Sequence, residues 1–314
     1  MTTTTTVTAP PSTPTKRRRP RPLKGDARAA WLFAAPGLIL VLLFVILPFL
    51  GAFGLSLTNS RLVTPLSTQF VGIDNYVDVL TDGTFWGALR NNFVFGLIVV
   101  PVQTGVALVL AVLVNQRIRG RVVYRTLYFL PQVMVMAAAA TVWKLLFSSD
   151  GMVNTVMNVV TFGLWSGDNW LQSTSLALPA VIIVSIWQGV GFQMVILLAA
   201  LQDVPNEQYE AASIDGASTW QQFINVTVPG IRNQLIFVAT ITMILSFRLY
   251  DQVVIMPQPA GGPQNATRTV MLEMVQTGFD RQLIGKASAI AVVFFLIVLS
   301  LTLIQRRLLK EEAR

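Results

Sequence analysis

Long apolar stretches alternate with shorter polar ones along most of the chain. Six apolar stretches are each about 20 residues long or longer, enough to cross a bilayer, and they cover residues 30 to 57, 93 to 114, 126 to 147, 174 to 201, 233 to 250 and 287 to 305. They lack the period-2 alternation of a half-buried strand. Because backbone groups in lipid must form their hydrogen bonds within the segment, we predict six transmembrane helices. The predicted fold class is an all-α polytopic membrane protein.

Composition supports this class and removes most enzymatic chemistry. The chain is 53% hydrophobic and 12% charged, and its mean hydropathy is +0.60. It contains neither cysteine nor histidine, which excludes thiol nucleophiles, disulfides, Cys/His metal sites and histidine-based triads. The sequence also shows no ATP-binding loop, acid/base pair or metal-ligating cluster. We therefore predict that the chain is not an enzyme and carries no metal or cofactor of its own.

Basic residues set the predicted orientation. Residues 1 to 28 are rich in Thr and Pro and then basic, which predicts a disordered cytoplasmic tail that touches anionic lipid rather than nucleic acid. Most of the 23 lysines and arginines lie in this tail, in the loop of residues 115 to 125, or near the C-terminus. This bias predicts that both termini are cytoplasmic, with a membrane domain at 29 to 308 and a short tail at 309 to 314.

The polar stretch between the fourth and fifth apolar segments predicts a helix-turn-helix. Residues 205 to 214 favour a short helix, which Gly216 ends in a left-handed turn. Ser218 and Gln221 have the spacing of a capping box, so a second short helix follows. Pro229 is predicted to stop that helix. The charge bias places this loop, residues 202 to 232, in the cytoplasm.

The same stretch resembles the cytoplasmic coupling loop of ABC-importer permeases, whose signature has E-A-A, D-G-A, a phenylalanine and a proline at fixed spacings. The matching positions are Glu210, Ala211, Ala212, Asp215, Gly216, Ala217, Phe223 and Pro229. The resemblance implies that this loop docks on an ABC ATPase dimer, which binds the ATP. It also implies a second permease subunit, an extracytoplasmic solute-binding protein, and the cytoplasmic membrane of a bacterium.

Other segments are similar to those of carbohydrate-type permeases, the group related to the maltose and glycerol-phosphate uptake systems. The similar segments include Phe70 to Tyr76, Ser246 to Asp251 and the Gly261-Gly262-Pro263 loop. The resemblance covers about residues 28 to 308 and implies a permease subunit for a sugar or an oligosaccharide. A permease for another polar solute, such as glycerol phosphate, remains an alternative. So do a secondary transporter, a membrane scaffold and, least well supported, a membrane enzyme.

A pathway for a polar solute needs polar and aromatic side chains that face the interior of the bundle. The candidates in the third, fourth and fifth segments are Gln132, Ser185, Trp187, Gln188, Gln193, Ser246, Tyr250 and Asp251. The amides could bind hydroxyl groups, and Trp187 and Tyr250 could stack on a sugar ring. The alternative is that these polar residues join helices to one another. Likewise, Arg248 and Asp251 could form an ion pair at the membrane interface.

Overall fold

The computed structural model describes residues 26–63, 68–116, 119–165 and 167–311. The predicted basic tail up to residue 25 and the last three residues of the predicted C-terminal tail lie outside the described residues. The chain divides into two compact units, residues 1–51 and 52–314. In the described ranges the regular structure is helical, apart from an isolated antiparallel bridge between Thr58 and Phe70. The prediction of an all-α chain is confirmed.

The α-helices of the described residues have the following bounds: α1 (Asp26–Val41), α2 (Leu47–Ser56), α3 (Asp74–Thr81), α4 (Gly83–Asn115), α5 (Arg121–Val133), α6 (Met136–Leu146), α7 (Met152–Val160), α8 (Ala177–Gln202), α9 (Asn206–Ile214), α10 (Thr219–Gln222), α11 (Val228–Gly230), α12 (Arg232–Phe247), α13 (Asp251–Ile255), α14 (Val270–Val275) and α15 (Ile284–Glu311). Short π-helical turns occupy Leu42–Ile46, Phe223–Thr227 and Gln276–Asp280. Turns of 3₁₀-helix occupy Trp170–Gln172 and Pro263–Asn265.

Most of the predicted spans are single long helical segments. Among the described residues, five segments are long and apolar enough to cross a membrane, namely Ala30–Ser56, Gly83–Asn115, Ala177–Gln202, Arg232–Ile255 and Ile284–Gln305. The pair formed by α5 and α6 raises the number to six if the two helices together form one span. The chain is therefore a polytopic membrane protein.

The third apolar stretch differs from a single helix, because α5 and α6 are bent by 98° with respect to each other. Pro131 lies in the last turn of α5 and cannot donate a backbone hydrogen bond. Met134 and Val135 then take extended conformations, with ψ of 139° and 125°. The Met134 carbonyl oxygen is 3.5 Å from Nε2 of Gln188 on α8. The break therefore lies at Met134 and Val135, three to four residues after the proline.

A glycine brings two helices of the second unit close together. A Cβ atom built on Gly191 of α8 would lie 1.9 Å from the carbonyl oxygen of Tyr128 on α5. No side chain fits there without moving backbone. The contact therefore fixes α5 against α8 near the bend between α5 and α6.

The polar loop, residues 202 to 232, is anchored at both ends in the hydrophobic core. Val204 and Ile231 are buried in one cluster with Ala107 of α4 and Leu197 of α8. Tyr209 packs against the same cluster. The ends of the polar loop therefore pack directly on α4 and α8.

Candidate functional site

The first half of the polar loop folds as its sequence predicts. The helix α9 follows Pro205, which has an extended conformation. Gly216 has a φ of +78°, in the left-handed region that favours glycine. After it, the backbone N–H of Ala217 donates to the carbonyl of Ala212 at 2.9 Å, which closes the end of the helix.

The second half is fixed by side chains near in sequence. Ser218 and Gln221 form the predicted capping box, with hydrogen bonds of 2.7 and 3.3 Å. Nε2 of Gln222 donates to Oγ of Ser213 and to the carbonyl oxygen of Ala217, at 2.9 and 3.1 Å. These bonds join the two helices of the loop to each other.

Pro229 does not stop the second helix, contrary to the sequence prediction. The helix continues through a π-helical turn, Phe223–Thr227, and into α11. In this turn the backbone N–H of Val228 donates to the carbonyl of Phe223, one residue further back than in an α-helix. The wider turn gives room to the ring of Pro229, which in an α-helix would clash with the carbonyl of Asn225, and the helix ends one residue later at Gly230.

The matched signature residues lie on or near the surface of the polar loop. Glu210, Ala211, Asp215, Gly216 and Pro229 are exposed, and Ala212, Ala217 and Phe223 are half-buried.

Two large apolar side chains that the sequence reasoning missed are exposed beside them. Ile214 is 87% exposed and Trp220 is 67% exposed. Trp220 stacks on Phe223, with ring centroids 5.6 Å apart. The sequence did carry a signal for these two residues, because they lie on a polar loop outside any membrane segment. Apolar side chains exposed at such a place indicate a protein contact.

A cavity of about 510 Å³ lies between α4, α5, α8 and α12. It brings together six of the eight residues predicted for a solute pathway, namely Gln132, Ser185, Gln188, Gln193, Ser246 and Asp251. Each helix contributes one face. On α8 the lining positions follow a helical stripe at 185, 188, 189, 192 and 193, and on α12 the stripe includes 238, 242, 245 and 246.

Trp187 and Tyr250 do not line the cavity. Trp187 lies off the lining stripe of α8 and packs edge-on against Trp143, with ring centroids 5.4 Å apart. Tyr250 lies in the turn between α12 and α13 and packs against the cluster that contains Val253. The predicted stacking of these two rings on a solute in this cavity is therefore not supported.

The deepest polar group of the cavity is Gln193, which is 1% exposed. Its Nε2 donates to Oγ1 of Thr242, while its Oε1 has no partner among the described residues. Gln103 of α4 also lines the cavity and is buried. Sequence reasoning missed Gln103 and Thr242, although each is a polar residue inside an apolar segment.

Charge is confined to one side of the cavity. Among the described residues that line it, only Arg248 and Asp251 are charged, and both are exposed. The predicted alternative of an ion pair between them is not observed in the described part of the chain. The rest of the lining consists of amides, hydroxyls and apolar side chains, including Phe95 and Phe192.

Ion pairs fix the end of the bundle opposite the polar loop, here termed the far end. The carboxylate of Glu273 is 1% exposed and binds both Arg268 and Arg281. Asp82 caps α4 by accepting from the backbone N–H of Thr84 at 2.9 Å, and Nζ of Lys286 lies 3.5 Å from its other oxygen. Partial burial alone would raise the pKa of Asp82, but the Thr84 hydrogen bonds and the Lys286 charge outweigh it and lower this pKa below its ordinary value.

Comparison with known families gives a match over two thirds of the chain. The profile of the family described as "Binding-protein-dependent transport system inner membrane component" matches residues 103–311. This range includes the polar loop and most of the residues that line the cavity.

Individual relatives match over nearly the whole chain. The chain is 34% identical over 271 residues to the lactose transport system permease protein of Rhizobium radiobacter, covering 86% of this chain and 89% of the relative. It is 32% identical over 280 residues to the trehalose/maltose transport system permease protein of Thermococcus litoralis, covering 89% and 92%. Its fold is similar to a chain in the crystal structure of a bacterial ABC transporter involved in the import of the acidic polysaccharide alginate. That match has a TM-score of 0.76 at 20% identity and covers 92% of this chain and 99% of the other.

Proposed function

The chain belongs to the family of binding-protein-dependent transport system inner membrane components, and on this premise we propose that it conducts a sugar or an oligosaccharide through the cavity between α4, α5, α8 and α12. It is a permease subunit of an ABC importer. The observation that carries the proposal is the lining of the cavity by uncharged amides and hydroxyls next to aromatic rings.

This lining suits the chemistry of a neutral polyol. Each amide of Gln132 and Gln188 offers donors and an acceptor, and the buried Oε1 of Gln193 lacks a partner that a sugar hydroxyl could supply. Phe95 and Phe192 offer apolar faces to a sugar ring. A strongly anionic solute such as glycerol phosphate would find Arg248 as the single cation among the described lining residues, so we rank it second.

The polar loop would transmit the work of ATP hydrolysis. It is rigid and exposes Ile214 and Trp220, which suit insertion into a cleft of another protein. In this proposal an ABC ATPase dimer binds the ATP and the loop moves as a lever. Because the loop is anchored next to α4 and α8, the movement changes the cavity that these helices line.

The remaining partners complete the importer. We propose a second permease subunit that closes the pathway and an extracytoplasmic protein that delivers the solute at the far end. The polar loop and both termini would lie in the cytoplasm of a bacterium, as the distribution of basic residues predicts.

Sugar uptake by the purified complex, reconstituted in vesicles with its ATPase and binding protein, tests this proposal. We expect ATP-dependent uptake of a neutral sugar from a panel that includes lactose, maltose and trehalose. Gln193→Leu should weaken the apparent affinity for that sugar about fivefold, as expected for the loss of one neutral hydrogen bond of about 1 kcal/mol. Gln305→Leu is the control, because the Gln305 Oε1 also lacks a partner but does not line the cavity.

Two results would contradict the proposal. Uptake of glycerol phosphate without uptake of any neutral sugar would favour the second-ranked solute. Uptake by this chain without an ATPase would favour a secondary transporter.

A further inference from the structure

Asn154 of α7 is the centre of a hydrogen-bond network between α6 and α8, where Trp170 and Leu171 are also buried. Asn154 of α7 is 5% exposed. Its Nδ2 lies 2.9 to 3.0 Å from three backbone carbonyl oxygens, so its two hydrogens are shared among them. Its Oδ1 accepts from the indole N–H groups of Trp165 and Trp170, at 2.7 and 2.9 Å. The amide therefore fixes which face of α7 packs on the protein.

The other face of α7 and the turn after it are exposed and mainly apolar, with Thr155 and Asn158 as the polar side chains among them. The exposed fraction is 67% for Met152, 73% for Val159, 95% for Phe162 and 89% for Leu164. Residues 151 to 165 include no charged side chain. A fixed apolar surface of this kind, at the far end of a membrane protein, indicates a contact with something other than water.

This surface continues the lipid-facing side of the third span. Val142 and Leu145 of α6 are 53% and 69% exposed. The turn to α7 is tight, since a Cβ atom on Gly151 would lie 2.2 Å from the carbonyl oxygen of Leu146. The apolar face of α7 therefore starts close to the end of α6, with the exposed residues Ser149 and Asp150 between the two.

Tryptophan side chains gather at the same level. Trp143 of α6 stacks on Phe147, with ring centroids 5.4 Å apart, and Trp165 packs on Trp170 at 5.5 Å. Tryptophan is enriched at membrane–water interfaces, where one part of the ring is apolar and the N–H is polar. Because Trp165 and Trp170 donate their N–H groups to Asn154, the exposed apolar side chains, rather than these rings, point to a position of α7 at the boundary of the hydrocarbon layer.

We propose that α7 and the following turn, residues 152 to 164, lie in the bilayer interface at the far end, with Met152, Val159 and Phe162 among the lipid acyl chains. The helix lies along the membrane surface, buries its apolar face in lipid and keeps Asn154 on the protein side. It anchors α6, which is joined to α5 only through the extended residues Met134 and Val135.

Depth-dependent fluorescence quenching tests this placement. The chain contains no cysteine, so Val159→Cys and Phe162→Cys each introduce the single thiol of this chain for a small fluorophore. The labelled importer complex is reconstituted in phosphatidylcholine vesicles with or without bromine on the acyl chains. Bromine quenches by contact, and we expect at least a twofold loss of fluorescence at both positions. Arg119→Cys is the control, because Arg119 is exposed and lies between α4 and α5, outside the membrane segments.

Two other outcomes would overturn this placement of α7. Efficient quenching of labels 159 and 162 by aqueous iodide, with none by bromolipid, would place α7 in water and overturn the proposal. Resistance to both quenchers together with cross-linking to another subunit would show that protein covers this face, and would also overturn it. Both substituted positions are exposed, so thermal unfolding of the variants should match that of the unlabelled complex.

Discussion

The polar loop takes its shape from residues that are near in sequence, whereas the cavity takes its shape from residues that are far apart. In the loop, Ser218 and Gln221 are three residues apart and Gly216 sets the turn by its own φ. In the cavity, Gln193 meets Thr242 across 49 positions. A change in the loop should therefore alter function with little effect on the fold, and a change in helix spacing around the cavity should alter both.

The largest effect on stability is expected from Gly191→Leu, which changes the spacing between α5 and α8. The new side chain would overlap the backbone of Tyr128, so α5 and α8 must separate. We expect a loss of about 3 kcal/mol or more in the free energy of unfolding, at the upper end for overpacking. Denaturant-induced unfolding in detergent measures this loss, and solute uptake should fall with it.

Gly105→Leu is the control for this change. Gly105 lies in the membrane helix α4, but a Cβ atom there would meet nothing within 4 Å. The free energy of unfolding of the Gly105→Leu variant should stay near that of the unchanged protein. Equal destabilisation by the two substitutions would show that the contact between α5 and α8 does not set the packing around the cavity.

A smaller and more local effect is expected from Gly216→Val. A Cβ atom at Gly216 meets nothing within 4 Å, so the cost comes from the left-handed backbone and amounts to about 1–2 kcal/mol. The variant should remain folded, since the anchors Val204 and Ile231 are untouched. Solute-stimulated ATP hydrolysis of the reconstituted importer should fall, because the two helices of the loop lose their fixed angle.

Gly216→Asn is the matched comparison, because asparagine adopts the left-handed region more readily than valine. It should retain most of the stimulated hydrolysis. If the valine variant hydrolyses ATP and imports solute as well as the asparagine variant, the shape of the turn is not what couples the two processes.

The contrast between local contacts in the loop and long-range contacts in the cavity explains what the sequence could predict about the loop. The predicted helix at 205 to 214 is observed as Asn206–Ile214, and the capping box and the left-handed Gly216 are present, because each depends on a few adjacent residues. The prediction that Pro229 ends the second helix was wrong. Proline disfavours an α-helix, but the π-helical turn before it had no recognisable signal in the sequence.

For the cavity, the sequence predicted polar positions but not their neighbours. Gln188 and Gln193 lie on the lining face of α8, whereas Trp187 is turned toward Trp143. Gln103 was missed because only the packing of α4 against α8 brings it to the same space. The sequence shows which side chains are polar. Whether a polar side chain lines the cavity or packs against another helix depends on how the four helices around the cavity meet. The role of these residues in solute transport stays a prediction.

The smallest expected effect concerns Asp82, where a local and a distant interaction meet on one carboxylate. The backbone N–H of Thr84 is two residues away, and Lys286 is 204 residues away. Asp82→Asn keeps an acceptor for Thr84 and removes the charge, whereas Asp82→Ala removes both. We expect Asp82→Ala to cost about 1 kcal/mol, the usual value of a helix cap. Asp82→Asn should cost about 0.5 kcal/mol, since partly exposed ion pairs are weak.

Unfolding measured as a function of pH separates the two contributions. The pKa of Asp82 in the folded protein lies below its ordinary value, so the stability that its charge contributes is complete above the unfolded pKa of about 3.9. That contribution is lost as the pH falls through the lower pKa of the folded protein. The difference between the unchanged protein and Asp82→Asn should thus be constant from about pH 5 to 8 and shrink in more acidic solution. If Asp82→Asn were as damaging as Asp82→Ala, the distant charge of Lys286 would outweigh the local cap at this position.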